Sequence, residues 1–207
     1  GDGADTLTAS GSFAAPTLNF DGGSGNDVLT LSAATLAGKV NLLGRDGDDL
    51  LNVVALNTRA AGDSFVADGG EGNDGVTVAR GTGLTDYVIK VTDSGKTGTD
   101  FLTFEGSTAD DAILLRSGLI AGLQYEGSSL SSKVERVQYD TTFEGLTVRG
   151  MAGNDRIYSD DTSIVTTIDG GVGDDSVQIG QLYGSTVPGV TDGSWFAATV
   201  GAKVGAT

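Results

Sequence analysis

Aspartates recur through this chain at the end of short glycine-bearing stretches. Asp21-Gly22-Gly23-Ser24-Gly25-Asn26-Asp27 leads into Val28-Leu29-Thr30-Leu31. The pattern returns as Asp68-Gly69-Gly70-Glu71-Gly72-Asn73-Asp74 and as Asp169-Gly170-Gly171-Val172-Gly173-Asp174-Asp175, each followed by alternating apolar residues. Looser copies begin at Gly44 and Gly150, where Arg45 and Met151 replace the second glycine. Degenerate copies end at Asp100 and Asp111, and a truncated one at Asp5. A loop of glycines lets backbone carbonyls converge, and a terminal carboxylate adds a charged oxygen. That is chemistry for a hard cation: calcium takes six to eight oxygens at about 2.3–2.6 Å. One turn supplies too few oxygens. Two stacked turns complete a shell, so each ion would join one coil to the next.

The elements that must position these turns are short strands. Leu29/Leu31, Leu51/Val53, Val76/Val78, Leu102/Phe104, Ile113/Leu115 and Val177/Ile179 alternate directly after the turns. Leu18/Phe20, Val40/Leu42, Phe65/Ala67 and Leu146/Val148 alternate before them. Alternation gives one inward and one outward face. Most intervals between the terminal aspartates correspond to a coil of about 22 residues, and the interval from Asp111 to Asp155 is two such periods. A motif-poor coil is expected over about 115–145, with 133–139 as one of its strands. A single coil cannot bury its own apolar residues, whereas stacked coils bury them mutually and pair backbones about 4.8 Å apart. The prediction is an all-β, parallel β-solenoid with two short strands per coil and the Gly-Asp turns along one edge. It occupies 1–180, with 181–207, including Trp195 and Phe196, as a terminal coil, cap or linker.

The pattern Gly-Gly-x-Gly-x-Asp-x-(large apolar)-x resembles the nonapeptide of RTX, or haemolysin-type, calcium-binding repeats. Residues 22–30, 69–77 and 170–178 match it in full. The resemblance implies calcium ions between successive turns, held by carbonyls and motif aspartates. The candidate ligands are Asp5; Gly22, Ser24, Asn26 and Asp27; Gly44, Asp46, Asp48 and Asp49; Gly69, Glu71, Asn73 and Asp74; Asp100 and Asp111; Gly150, Ala152, Asn154 and Asp155; and Gly170, Val172, Asp174 and Asp175. RTX nonapeptides usually follow one another directly and place ions along both edges. Here one motif occurs per coil, so one calcium spine is expected, with ordinary loops opposite. This gapped form looks like the repeats of large bacterial surface and adhesin proteins.

Composition narrows the function. Glycine numbers 34 of 207 residues while proline appears twice, which points to many tight turns and not to a disordered chain rich in both. The formal charge is -16, which argues against nucleic acid and anionic membrane surfaces as partners. Without histidine the commonest general base is missing; without cysteine, so are disulfides, zinc thiolates and thiol nucleophiles. No apolar run approaches the roughly 20 residues of a membrane span. The opening Gly1-Asp2-Gly3-Ala4-Asp5 looks like the middle of a motif, as in a piece of a longer chain.

Other signals are better read as structure. Gly62-Asp63-Ser64-Phe65 resembles a hydrolase nucleophile block but has no histidine to activate it. Ser94-Gly95-Lys96-Thr97 is similar to the end of a phosphate-binding loop but lacks its first glycine. The adjacent acids Asp110/Asp111 and Asp160/Asp161 fit the repeat better than glycosidase chemistry. The expected function is a non-enzymatic, calcium-stiffened, adhesin-like module of a secreted or cell-surface bacterial protein, with self-association or neighbouring domains as further partners. The alternatives are an accessory domain of a type I secreted enzyme or toxin, and a carbohydrate-active β-helix.

Overall fold

The computed structural model describes residues 1–57, 59, 60, 62–126 and 129–180. The terminal segment with Trp195 and Phe196 lies outside the described residues. Among those described, every regular element is a strand and none is a helix. β1 spans Thr6–Ser24 and β2 Val28–Asp46, each running through a corner without interruption. Then follow β3 (Leu50–Val54), β4 (Ser64–Glu71), β5 (Gly75–Ala79), β6 (Tyr87–Thr92) and β7 (Phe101–Glu105). β8 (Ala112–Arg116), β9 (Leu119–Leu123), β10 (Tyr125–Glu126), β11 (Ser129–Leu130) and β12 (Glu135–Tyr139) come next. β13 (Gly145–Arg149), β14 (Arg156–Ser159), β15 (Val165–Asp169) and β16 (Ser176–Ile179) complete the order.

These strands stack as a β-solenoid in two columns. The first column holds the start of β1, the start of β2, then β3, β5, β7, β13 and β15, all parallel. Its register aligns Leu7, Leu29, Leu51, Val76, Leu102 and Leu146 in one row, and Ala9, Leu31, Val53, Val78, Phe104, Val148 and Ile168 in another. These rows face inward; from Leu29 to Val148 their members are all but inaccessible. The second column holds the ends of β1 and β2, then β4, β6, β12, β9, β8, β14 and β16. Val40, Leu42, Phe65, Ala67, Ile89 and Val91 fill its inner face.

Two features depart from a uniform parallel stack. The chain reverses at Gly118, whose φ of 71° suits a tight hairpin, so that β9 runs antiparallel to both β8 and β12. The motif-poor stretch is therefore an inserted strand followed by β12, which resumes parallel pairing with β6. The other departure concerns the turns. Those ending at Asp27, Asp49, Asp74 and Asp100 carry the chain from the second column to the first. Those ending at Asp111, Asp155 and Asp175 carry it from the first to the second, since β7, β13 and β15 precede them and β8, β14 and β16 follow. The single edge expected for all the turns is thus two: one serves the first part of the chain, the opposite one the last. Leu146/Val148 accordingly stack on Leu102/Phe104, and not with the strands that precede the earlier turns.

Candidate metal centre

Six of the motif aspartates tie their coil to the one before. The Oδ1 atoms of Asp27, Asp49, Asp74 and Asp100 accept the backbone N–H of Asp5, Asp27, Asp49 and Asp74 at 2.7, 2.7, 2.8 and 2.7 Å. At the next rung Glu144 Oε2 accepts from Asp100 N at 2.6 Å, so a glutamate takes the place of the aspartate. The second edge repeats the device: Asp155 Oδ1 accepts from Asp111 N at 2.7 Å, and Asp175 Oδ1 from Asp155 N at 2.9 Å. Asp5 and Asp175, on the terminal rungs, are exposed and half-buried respectively, while the aspartates between them are buried.

The second carboxylate oxygens are the unusual feature. Oδ2 of Asp27, Asp49, Asp74 and Asp155 is buried and has no hydrogen-bond partner. Each lies against the first glycine of its own turn: Gly22, Gly44, Gly69 or Gly150. At Gly22, Gly44 and Gly150, the carbonyl of the next coil's first glycine (Gly44, Gly69 and Gly170) reaches the same place. A Cβ at any of these glycines would overlap the carboxylate; at Gly69 it would stand 2.6 Å from Asp74 Oδ2. The glycines therefore leave a cradle in which a carboxylate oxygen and, at three of them, a carbonyl of the neighbouring coil converge. A buried carboxylate without a compensating partner costs several kcal/mol. Burial correspondingly pushes the Asp49, Asp100 and Asp155 carboxyls above the usual range, and Asp74 up to about 6. These oxygens fit a hard cation in charge, type and convergence.

The other predicted ligands have different surroundings. The carbonyls of Ser24, Asp46, Glu71 and Val172 each accept an N–H from the glycine of the preceding coil, at 2.6, 2.7, 2.8 and 3.0 Å. The side chains of Asn26, Asp48 and Asn73 lie at the surface and accept the backbone N–H of Asp48, Asn73 and Thr99. On the opposite edge Asn154 accepts from Asp174 N, and Asp110 from Asn154 N. These fifth-position side chains thus hold register along the rim. Ala152 makes an isolated parallel bridge with Val172.

Asp111 was expected among the ligands, yet a side-chain cation already faces it. Arg80, itself buried, bonds Asp111 Oδ1 and Glu135 Oε2, and Thr85 donates to the other oxygen of Glu135. Asp111 Oδ2 accepts the N–H of Ser107. Both oxygens of Asp111 are satisfied, so it lacks the partnerless atom that marks the other rungs. Burial still raises the Glu135 carboxyl, against the opposing pull of Arg80. Sequence reasoning missed Arg80, Glu135, Asp93 and Glu144. Only Glu144 left a trace, standing two periods (44 residues) after Asp100.

Arg45 and Met151 occupy the left-handed position of the second motif glycine, at φ of 92° and 81°, beside 107° at Gly23 and Gly70. Arg45 also bonds Asp21 at 2.8 Å, holding that carboxyl below its ordinary range. Among the described residues no helix is long and apolar enough to cross a membrane. No protein-family model, curated protein or solved structure matches the chain.

Proposed function

We propose that this chain is a calcium-binding structural module, adhesin-like in role, of a secreted or cell-surface bacterial protein, and that its turns are gapped RTX-type repeats. The observation that carries the reading is the set of buried, partnerless Oδ2 atoms on Asp27, Asp49, Asp74 and Asp155, each in a glycine cradle. A cation in each cradle would neutralise a carboxylate that burial otherwise penalises, and at Gly22, Gly44 and Gly150 would bind oxygens of two coils at once. Calcium is scarce in bacterial cytosol and abundant outside, so low-affinity cradles would fill after export. Binding to the folded state alone stabilises it by mass action.

The test is a calcium titration of metal-free protein, followed by circular dichroism and X-ray scattering. Calcium is expected to raise β-structure and thermal stability and to reduce the radius of gyration. Asp27→Asn should lower the calcium stoichiometry. Identical spectra and scattering with calcium and in excess chelator would refute the proposal.

A further inference from the structure

The turn between β6 and β7 differs from every other turn on its edge. Register aligns Thr92 with Asp68, so the next residue, Asp93, stands where Gly69 stands in the preceding coil. At Gly22, Gly44 and Gly69 that place requires glycine, because the aspartate ending the turn fills the space. The later turn is two residues longer: Asp93 to Asp100 is seven steps (100 − 93), Gly69 to Asp74 five (74 − 69). The extra length makes room for a side chain. Asp93 uses that room to turn inward and is only 6% exposed.

Asp93 there meets Asp74, 2% exposed, and Asp100, 3% exposed. One oxygen from each lies within 4.8 Å of the others. Asp74 Oδ2 is the partnerless atom of its rung, and it lies against Gly69, the residue whose place Asp93 takes in the next coil. No ion pair among the described residues involves any of the three. Asp93 accepts only a long N–H bond from Gly95, at 3.3 Å, and backbone contact from Gly70, besides sharing a hydrogen bond with Asp100. Three inward carboxylates at this spacing repel one another strongly in a medium of reduced dielectric. The rungs of Asp27, Asp49 and Asp155 bring one partnerless carboxylate oxygen each.

We propose that Asp93 and Asp100 turn the repeat cradle of Asp74 at Gly69 into a tricarboxylate site for a calcium-sized cation, and that it is the tightest site among the described residues. The inference rests on the calcium reading above but goes beyond it, since Asp93 belongs to no motif position. Oxygen-site affinity for calcium rises with the number of charged ligands. This site therefore fills first, before the single-carboxylate cradles, and pins the first edge near its far end. A trivalent lanthanide of similar size suits three carboxylates still better.

The experiment is a titration of the metal-free chain with calcium, read by isothermal calorimetry, with terbium luminescence as a second probe. The wild type should show one tight site ahead of a weaker class. Asp93→Asn, which keeps the side chain's size, should weaken that first site about tenfold or more and leave the weaker class in place. Asp93→Gly, which restores the glycine of the other rungs, should do the same. Circular dichroism in saturating calcium checks that both variants fold. A wild type with only equivalent sites, or a tight site unchanged in Asp93→Asn, overturns the inference alone. No uptake of calcium or terbium by the wild type overturns the repeat reading with it.

Discussion

At Met151 a side chain sits where the repeat asks for glycine. Its φ of 81° is the left-handed region, which costs an L-residue about 1–2 kcal/mol. Arg45 adopts the same conformation, and its ion pair with Asp21 offsets part of that cost. Met151 has no such pair and is 41% exposed. Met151→Gly should therefore raise stability by about 0.5–1 kcal/mol, after allowing for glycine's greater freedom in the unfolded chain. Arg45→Gly should gain less. Denaturant unfolding of the two variants in parallel measures the difference.

The buried acids set a pH dependence opposite to that of ordinary surface carboxylates. Burial, reinforced by neighbouring acids, pushes Asp74 and Asp93 up to about 6 and raises Asp49, Asp100 and Asp155. In an unfolded chain an aspartate titrates near about 3.9. The folded, cation-free state thus binds these protons more tightly than the unfolded one. Their contribution is fully present below about pH 4 and is lost as pH rises through about 6. Metal-free protein should melt at a higher temperature at pH 5 than at pH 7.5, and scanning calorimetry reads this directly. Calcium should reduce or reverse the difference, because it displaces the same protons.

Arg80 supplies a contrast at the same scale. It is the only described side-chain cation buried between two carboxylates. Removing one member of such a group strands the others, at a typical cost of about 3–5 kcal/mol. Arg80→Met should lose stability in that range whether or not calcium is present. A loss that saturating calcium fully repairs would mean that a metal can take the guanidinium's place at Asp111.

Among the elements, the turns carry the molecule's main asymmetry. Asp100 and Asp111 are 11 residues apart (111 − 100), half of the 22 that separate Asp5, Asp27 and Asp49. Half a coil is the distance from one edge to the other, so that interval marks the change of side. The signal was in the sequence, but it is invisible unless each turn is assigned to an edge as well as to a coil. The strands themselves were far more legible. Leu29/Leu31, Leu51/Val53, Val76/Val78 and Leu102/Phe104 face inward as their alternation requires. The antiparallel β9 was not legible, because its residues, Leu119 to Leu123, are apolar on both faces and give no period. Contacts in a solenoid reach only neighbouring coils. Asp155→Asn should accordingly speed amide exchange in β8, β14 and β16 and leave β3 and β5 unchanged, while Asp49→Asn should do the reverse. Exchange monitored by mass spectrometry separates the two patterns.

For the whole molecule, architecture followed from the repeat because a fixed period leaves few ways to bury alternating apolar residues. The site was only partly readable. Motif position identified Asp27, Asp49, Asp74 and Asp155, since the loop itself fixes where their carboxylates go. It could not identify Asp93, Glu135 or Arg80, which arrive through loop length and an inserted strand and not through repetition. The change of side at Gly106 also has a mechanical meaning. Like charge along one margin lengthens that margin and curves a rod away from it. From Asp5 to Asp100 the charged margin is one flank; from Asp111 to Asp175 it is the other. Bared of counterions, the two halves would curve in opposite senses, an S and not a hook, and the two ends would keep a common heading.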